Sequence, residues 1–358
     1  MRLMTYYDRR EQYTMTDDFG FVVAEATPQN PRNTEGDIIE LRDGTLLLAW
    51  SDFYGGEMPD AAPARISAKA SHDRGKTWGE RFTLLENEGL QNVMSVSFLR
   101  LDSGDILFFY LRKNGPDDLH AMVRRSSDEM ATFSDPVRCT REIGYWVVNN
   151  ARIMQLSDGR LVCPAAWHRT IDIDIRNARA IAWLSDDEGR TWTRGESELP
   201  LPGRGAMEPG VVELRDGRLL MIIRTDLGDI YRSHSADRGA TWSDPEPMGV
   251  GAPVAPSTLV RIPSTGDLLL VWNDCFRDGP DAEAMRTPLT AAVSRDDGET
   301  WEYRRDLETD PELWYAYTSV TFVDDRALMT YWVDERYSEE RLMHLKLRSV
   351  DVSWFYEA

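Results

Sequence analysis

Ser71-His72-Asp73-Arg74-Gly75-Lys76-Thr77-Trp78 recurs three times in this chain, as Ser185–Trp192, Ser235–Trp242 and Ser294–Trp301. Each copy keeps the pattern Ser-x-Asp-x-Gly-x-Thr-Trp. A worn fifth copy, Ser126–Phe133, lies between the first two. The aspartates Asp73, Asp128, Asp187, Asp237 and Asp296 follow one another in steps of 55, 59, 50 and 59 residues. A period in this range is the signature of a repeat architecture.

A second motif alternates with the first. It is Leu-x-Asp-Gly-x-Leu at Leu41–Leu46, Leu156–Leu161 and Leu214–Leu219, with variants at Leu101–Ile106, Ile262–Leu268 and Val323–Leu328. Asp-Gly between alternating apolar residues signals a hairpin, because glycine accepts a positive φ without steric cost. Each unit then reads strand, Asp-Gly turn, strand, loop, strand, eight-residue turn, strand. Unit four would be Gly210–Leu214, Leu219–Arg224, Ile230–His234 and Thr241–Trp242. Six such units predict an all-β, six-bladed β-propeller with four-stranded antiparallel blades, in a single domain spanning residues 1–358. The last unit, with strands at Thr318–Val323, Leu328–Val333 and Leu342–Leu347, lacks the eight-residue turn. An N-terminal strand at about residues 21–26 is expected to complete it and leave no open edge.

The eight-residue turn reads as scaffold. Its Asp can accept bonds from N–H groups of its own turn, Ser and Thr add local bonds, and Trp staples the turn to the sheet. Similar carboxylates spread round a ring cannot converge on one substrate. The Asp/Asn ladder and terminal Glu of a calcium loop are missing. Both turn types fall on one face, so a pocket belongs at the opposite face, at the starts of strands one and three and the ends of strand two.

Bulk properties exclude several classes. The 358 residues are 42% hydrophobic and carry a net charge of -20, which argues against a nucleic-acid partner. A local arginine cluster could still bind an anionic small ligand. The first residues have no apolar signal core, and no 18-residue apolar run would span a membrane. Cys139, Cys163 and Cys275 are an odd, scattered trio. A cytoplasmic protein without disulfides is therefore expected. No cofactor or metal is expected.

The predicted pocket face is polar and rich in arginine. It offers Glu35, Asn150, Glu208 and Tyr317 at starts of strand one, His168 and Arg224 at ends of strand two, and Asp60, Arg65 and Arg286 at starts of strand three.

On these motifs the chain resembles the sialidase (neuraminidase) superfamily of six-bladed, Asp-box propellers, over nearly its whole length. Three further matches carry the resemblance. Met207-Glu208-Pro209-Gly210 opens a strand-turn-strand unit ending Ile222-Ile223-Arg224, Arg286 precedes the last Asp box, and Ala316-Tyr317-Thr318-Ser319-Val320 opens the last blade. The resemblance implies that Tyr317 is the nucleophile with Glu208 as its base, and that Arg224 and Arg286 clamp a substrate carboxylate. A neutral phenol avoids the repulsion a carboxylate nucleophile would meet, but its pKa near 10 calls for an adjacent base.

The chain departs from the family pattern twice. Where relatives place Arg-Ile-Pro, counting back from Asp43-Gly44 gives Thr34-Glu35-Gly36, with Arg32 nearby but out of register. The tripeptide Arg261-Ile262-Pro263 falls at a turn on the wrong face. The family's acid aspartate belongs to the loop 53–64, where Asp60 is the first choice and Glu35 follows. Arg32, Arg65, His168 and Asn150 complete the candidate substrate-binding set. The expected activity is retaining removal of a terminal, acidic sugar. Two alternatives stand: a glycosidase or lyase for another sugar using Glu/Asp acid–base chemistry, and a non-catalytic carbohydrate-binding propeller.

Overall fold

A computed structural model describes residues 18–171, 177–276, 285–335, 338 and 341–357. Its strands form six antiparallel meanders. The first is Arg32–Glu40, Leu46–Phe53, Ala64–Ser71 and Phe82–Leu85. The second is Asn92–Arg100, Ile106–Gly115, Asp118–Ser126 and Val137–Arg138. The third is Met154–Gln155, Leu161–His168, Arg179–Ser185 and Thr193–Arg194. The fourth is Met207–Glu213, Leu219–Arg224, Asp229–Ser235 and Glu246–Gly251. The fifth is Thr258–Arg261, Leu268–Asn273, Leu289–Ser294 and Glu302–Glu308. The sixth is Leu313–Val323, Arg326–Glu335 and Met343–Asp351, with Phe19–Ala24 paired antiparallel onto its last strand.

Hydrogen bonding joins these meanders into four open sheets. Gly144–Val147 links the second to the third, and a parallel bridge between Arg32 and Met343 links the sixth to the first.

Middle strands read as unbroken apolar runs because both of their faces are covered. In the first meander Leu46, Leu48 and Trp50 pack with Leu328 and Leu345 of the sixth. The intervening Leu47 and Ala49 pack with Val93 and Phe108 of the second. Successive side chains of a strand point to opposite faces, so one strand serves two clusters. The same division repeats at Leu219, Met221 and Ile223 against Leu220 and Ile222. Among the described residues six large apolar clusters result, one between each pair of consecutive meanders, sixth to first included, beside a small one of Ala178, Met207 and Val254.

The eight-residue turns hold themselves as expected. The Asp73 carboxylate accepts from Thr77 N at 2.8 Å, Thr77 Oγ1 at 2.6 Å and Ser71 Oγ at 2.9 Å, and Trp78 Nε1 donates to Gly75 O. The worn copy makes the same bonds through Asp128, with Met130 at φ 70° where the others have glycine.

The residue after each Asp has a further use. Arg74, Glu129, Arg238 and Asp297 pair with Asp324, Arg42, Asp158 and Arg215, all in the Asp-Gly-type turn of the preceding meander. Arg261 also reaches Asp297, which puts the stray Arg-Ile-Pro in this bottom-face network.

Several strand boundaries differ from expectation; the sixth meander's first strand, for one, begins at Leu313 rather than Thr318. The N-terminal strand is Phe19–Ala24 rather than 21–26. The outer strand of the fourth meander is Glu246–Gly251 rather than Thr241–Trp242. There Asp237 takes both polar groups of Thr241, and Trp242 Nε1 is bound to Gly239 O, so this pair stays in the turn.

Candidate active site

The inner strands of four meanders break register near their starts, at Thr34/Asp37, Met94/Ser97, Met207/Gly210 and Ala316/Ser319. Glu35, Ser95, Glu208 and Tyr317 occupy these bulges with φ of 56°, 56°, 40° and 60°. A left-handed conformation costs a residue with a Cβ about 1–2 kcal/mol. The bulges re-aim side chains that regular pairing would point elsewhere.

Three of these residues meet in one constellation. The Tyr317 hydroxyl donates to Glu208 Oε1 at 3.0 Å, and Arg224 Nη1 donates to Glu208 Oε2 at 2.7 Å. Arg224 ends the strand paired with the one that carries Glu208, which explains their contact. The Arg286 guanidinium lies 5.8 Å from the Tyr317 ring centre and 5.3 Å from that of Trp332. Asn273 Nδ2 donates to the carbonyls of Arg286 and Tyr315, tying that arginine's backbone to the tyrosine strand. Glu35, 5% exposed, accepts from Ser51 Oγ at 3.1 Å and faces Arg32 Nη2 at 3.7 Å. Arg32 Nη1 reaches Asp60 Oδ1 at 2.5 Å. Lys113 Nζ and Asn92 Nδ2 hold the Asp60 carbonyl.

The charges sort the acids. Burial works to raise the Glu208 carboxyl, but the charge and hydrogen bond of Arg224, the charge of Arg286 and the Tyr317 hydrogen bond together hold it below its ordinary value. Arg32 holds Asp60 low. Burial raises Glu35 despite Arg32. Burial, then the Glu208 charge, raises the Tyr317 phenol, so that group stays neutral without a base. Burial lowers Arg286 to about 10, and its Nη1 has no hydrogen-bond partner among the described residues.

The remaining candidates are placed differently. Asn150, 1% exposed, donates to the backbone carbonyls of Gly36 and Tyr317, so it supports the site from below rather than facing a sugar. Arg65 is spent on the buried Asp52, its cross-strand partner, which also binds Ser67 Oγ. His168 packs edge-on against Tyr145 and is buried, one ring behind the pocket. Arg32 was expected out of register, yet it joins Glu35 and Asp60.

Sequence reasoning missed Tyr145, Arg204 and Arg152. Tyr145 feels the charges of Asp60, Glu35 and Arg32, and Arg204 those of Arg224 and Glu208. The run Gly203-Arg204-Gly205 just ahead of Glu208 was a usable signal. Both glycines have positive φ, and a Cβ on Gly205 would lie 2.3 Å from Ala178 N.

A phenol on a carboxylate, three further cations and an exposed acid around one point can bind an anion and make and break a bond beside it. The BNR repeat-like domain matches residues 44–329. A sialidase of Paraclostridium sordellii is 31% identical over 241 residues, covering 58% of this chain and 56% of the relative. A sialidase of Micromonospora viridifaciens is 27% identical over 300 residues, covering 72% and 43%. The chain thus spans about half the length of these curated relatives. The solved Hadza microbial sialidase Hz136 superposes with a TM-score of 0.74 at 19% identity, over 94% of this chain and 69% of that one.

Proposed function

The chain belongs to the BNR repeat-like domain family, and from there we propose that it is a sialidase-like exo-glycoside hydrolase. It removes a terminal acidic sugar by a retaining mechanism, with Tyr317 as nucleophile. We read the six meanders as the blades of one six-bladed propeller domain. The six apolar clusters, the last uniting sixth and first meanders, support that closure.

The observation that carries the reading is the Tyr317–Glu208 hydrogen bond at 3.0 Å, ringed by Arg32, Arg224 and Arg286. The sugar carboxylate lies against those arginines. The Tyr317 oxygen attacks the anomeric carbon and its proton passes to Glu208. The bond to the leaving oxygen breaks, and that oxygen takes a proton from Asp60. Water then attacks the same carbon, giving its proton to Asp60, and Tyr317 departs and recovers its proton from Glu208. Two inversions leave the anomeric configuration retained.

Asp60 must hold a proton for this, although Arg32 keeps it ionised in the free site. A substrate carboxylate that engages Arg32 loosens that ion pair and adds a negative charge nearby. Both effects raise the affinity of Asp60 for a proton.

Turnover of a fluorogenic sialoside tests the reading. Tyr317→Phe is expected to lower kcat at least a hundredfold with KM little changed. Wild-type kcat in that variant sinks the nucleophile assignment. One observation favours a second reading, a different acidic sugar whose acid group sits away from Arg32: the buried carboxylate of Glu35 stands beside Arg32, where it would repel a second carboxylate. A panel of acidic glycosides separates the two.

A further inference from the structure

Arg152 lies beneath this constellation and has no part in the reaction as described. It is 5% exposed, and no carboxylate pairs with it among the described residues. A cation removed from water without a counter-ion is costly, so its position needs a reason.

Its path crosses between meanders. The chain from Asn150 to Arg152 enters the third meander, and Arg152 N donates to Ser97 Oγ of the second. The side chain passes Gly210, two residues beyond Glu208; a Cβ at Gly210 would lie 3.4 Å from Arg152 Nε. The guanidinium ends at the fifth meander, donating Nη2 to Ser257 O at 2.5 Å and Nη1 to Thr258 Oγ1 at 3.3 Å. Thr258 Oγ1 in turn donates to the carbonyl of Thr318, the neighbour of Tyr317, at 2.6 Å. Below Arg152 opens a cavity of about 560 Å³ lined also by Ile153, Val211 and Val260. Arg152 therefore lines that cavity while its guanidinium is held at the fifth meander.

We propose that Arg152 is a positioning residue of the reaction, packed against the Glu208 strand at Gly210, bracing the Tyr317 strand through Thr258 and presenting a buried positive charge to Glu208 from below. The charges of Glu208 and Tyr317 both act on it, and burial lowers the guanidinium to about 10. The role rests on the assignment of Tyr317 and Glu208 above.

The test uses the full chain with ¹³C-carboxyl-labelled glutamate, Glu208 being identified by comparison with Glu208→Gln. Arg152→Gln is expected to raise the Glu208 titration midpoint by about one pH unit. It should also lower sialoside kcat about tenfold or more, with KM within about twofold. Arg152→Lys should keep the Glu208 midpoint. Thr258→Val should lower kcat without moving that midpoint. A folded Arg152→Gln protein with the wild-type midpoint and kcat overturns the proposal. If that variant does not fold, wild-type kcat in both Arg152→Lys and Thr258→Val overturns it. The titration needs no turnover. A protein that cleaves neither a sialoside nor any other acidic glycoside of the panel but shows the shift sinks the hydrolase reading and leaves the electrostatic role of Arg152 standing.

Discussion

Tyr317 and Glu208 divide one task between a reluctant acid and a ready base. Burial makes the phenol harder to ionise, while Arg224 makes the carboxyl easier to ionise. This sets the direction of the pH dependence. With Glu208 held low, its deprotonated form persists into acid, and the acid limb of kcat/KM falls below the ordinary glutamate range. Arg224→Gln removes the largest lowering influence and leaves burial opposed only by Arg286 and the Tyr317 hydrogen bond, so the carboxyl rises. Its acid limb should move to higher pH, so the variant loses activity first at low pH. A limb that stays put or moves down in a pH–rate series contradicts the assignment. At this scale the sequence was informative about residue type and less so about register. Arg32 seemed out of place because the count from Asp43-Gly44 assumed a regular strand. The bulge between Thr34 and Asp37 breaks that count, and nothing local to the sequence announces it. Arg65 failed for a related reason: strand alternation gave it to Asp52.

The eight-residue turn is a connector between elements as well as a turn. Its Asp secures the turn, while the next side chain binds the preceding meander. The sequence made the first use plain, since the same Ser, Asp and Thr recur. It hid the second, because a position occupied by Arg, Glu, Glu, Arg and Asp looks variable until its partners are known. What is kept there is complementarity: Arg238 faces Asp158, and Asp297 faces Arg215. Asp187→Ala should cost about 1–2 kcal/mol, the net worth of a few partly exposed hydrogen bonds to a carboxylate. Urea unfolding measures it, and activity per folded molecule should be unchanged. A variant with full stability but impaired turnover would mean that the turn serves the site directly.

For the whole molecule, the six-unit division was legible because turn chemistry repeats and middle strands are apolar throughout. The site's convergence was less so, since Arg32, Glu208, Arg286 and Tyr317 come from four meanders and meet only when these are assembled. Phe19–Ala24 is the sixth meander's fourth strand. Deleting residues 1–24 should leave the edge of Met343–Asp351 unpaired and strip Val23 and Ala24 from the cluster they share with Trp50. The expected outcome is a lower thermal midpoint, self-association by light scattering and reduced sialoside turnover. A truncated chain as stable and monodisperse as the parent contradicts it.

The pairing of Phe19 with Ser349 also governs when the molecule can exist. On the ribosome the first of these strands must wait for more than three hundred further residues before its neighbour emerges. Intermediate meanders can form in order as they are translated, each against the one before it. The seam cannot. Tyr317 and Arg32 stand on either side of it, so a nascent chain carries most of the site's residues yet no site. Competence then arrives as a single late event, when Met343–Asp351 meets Phe19–Ala24.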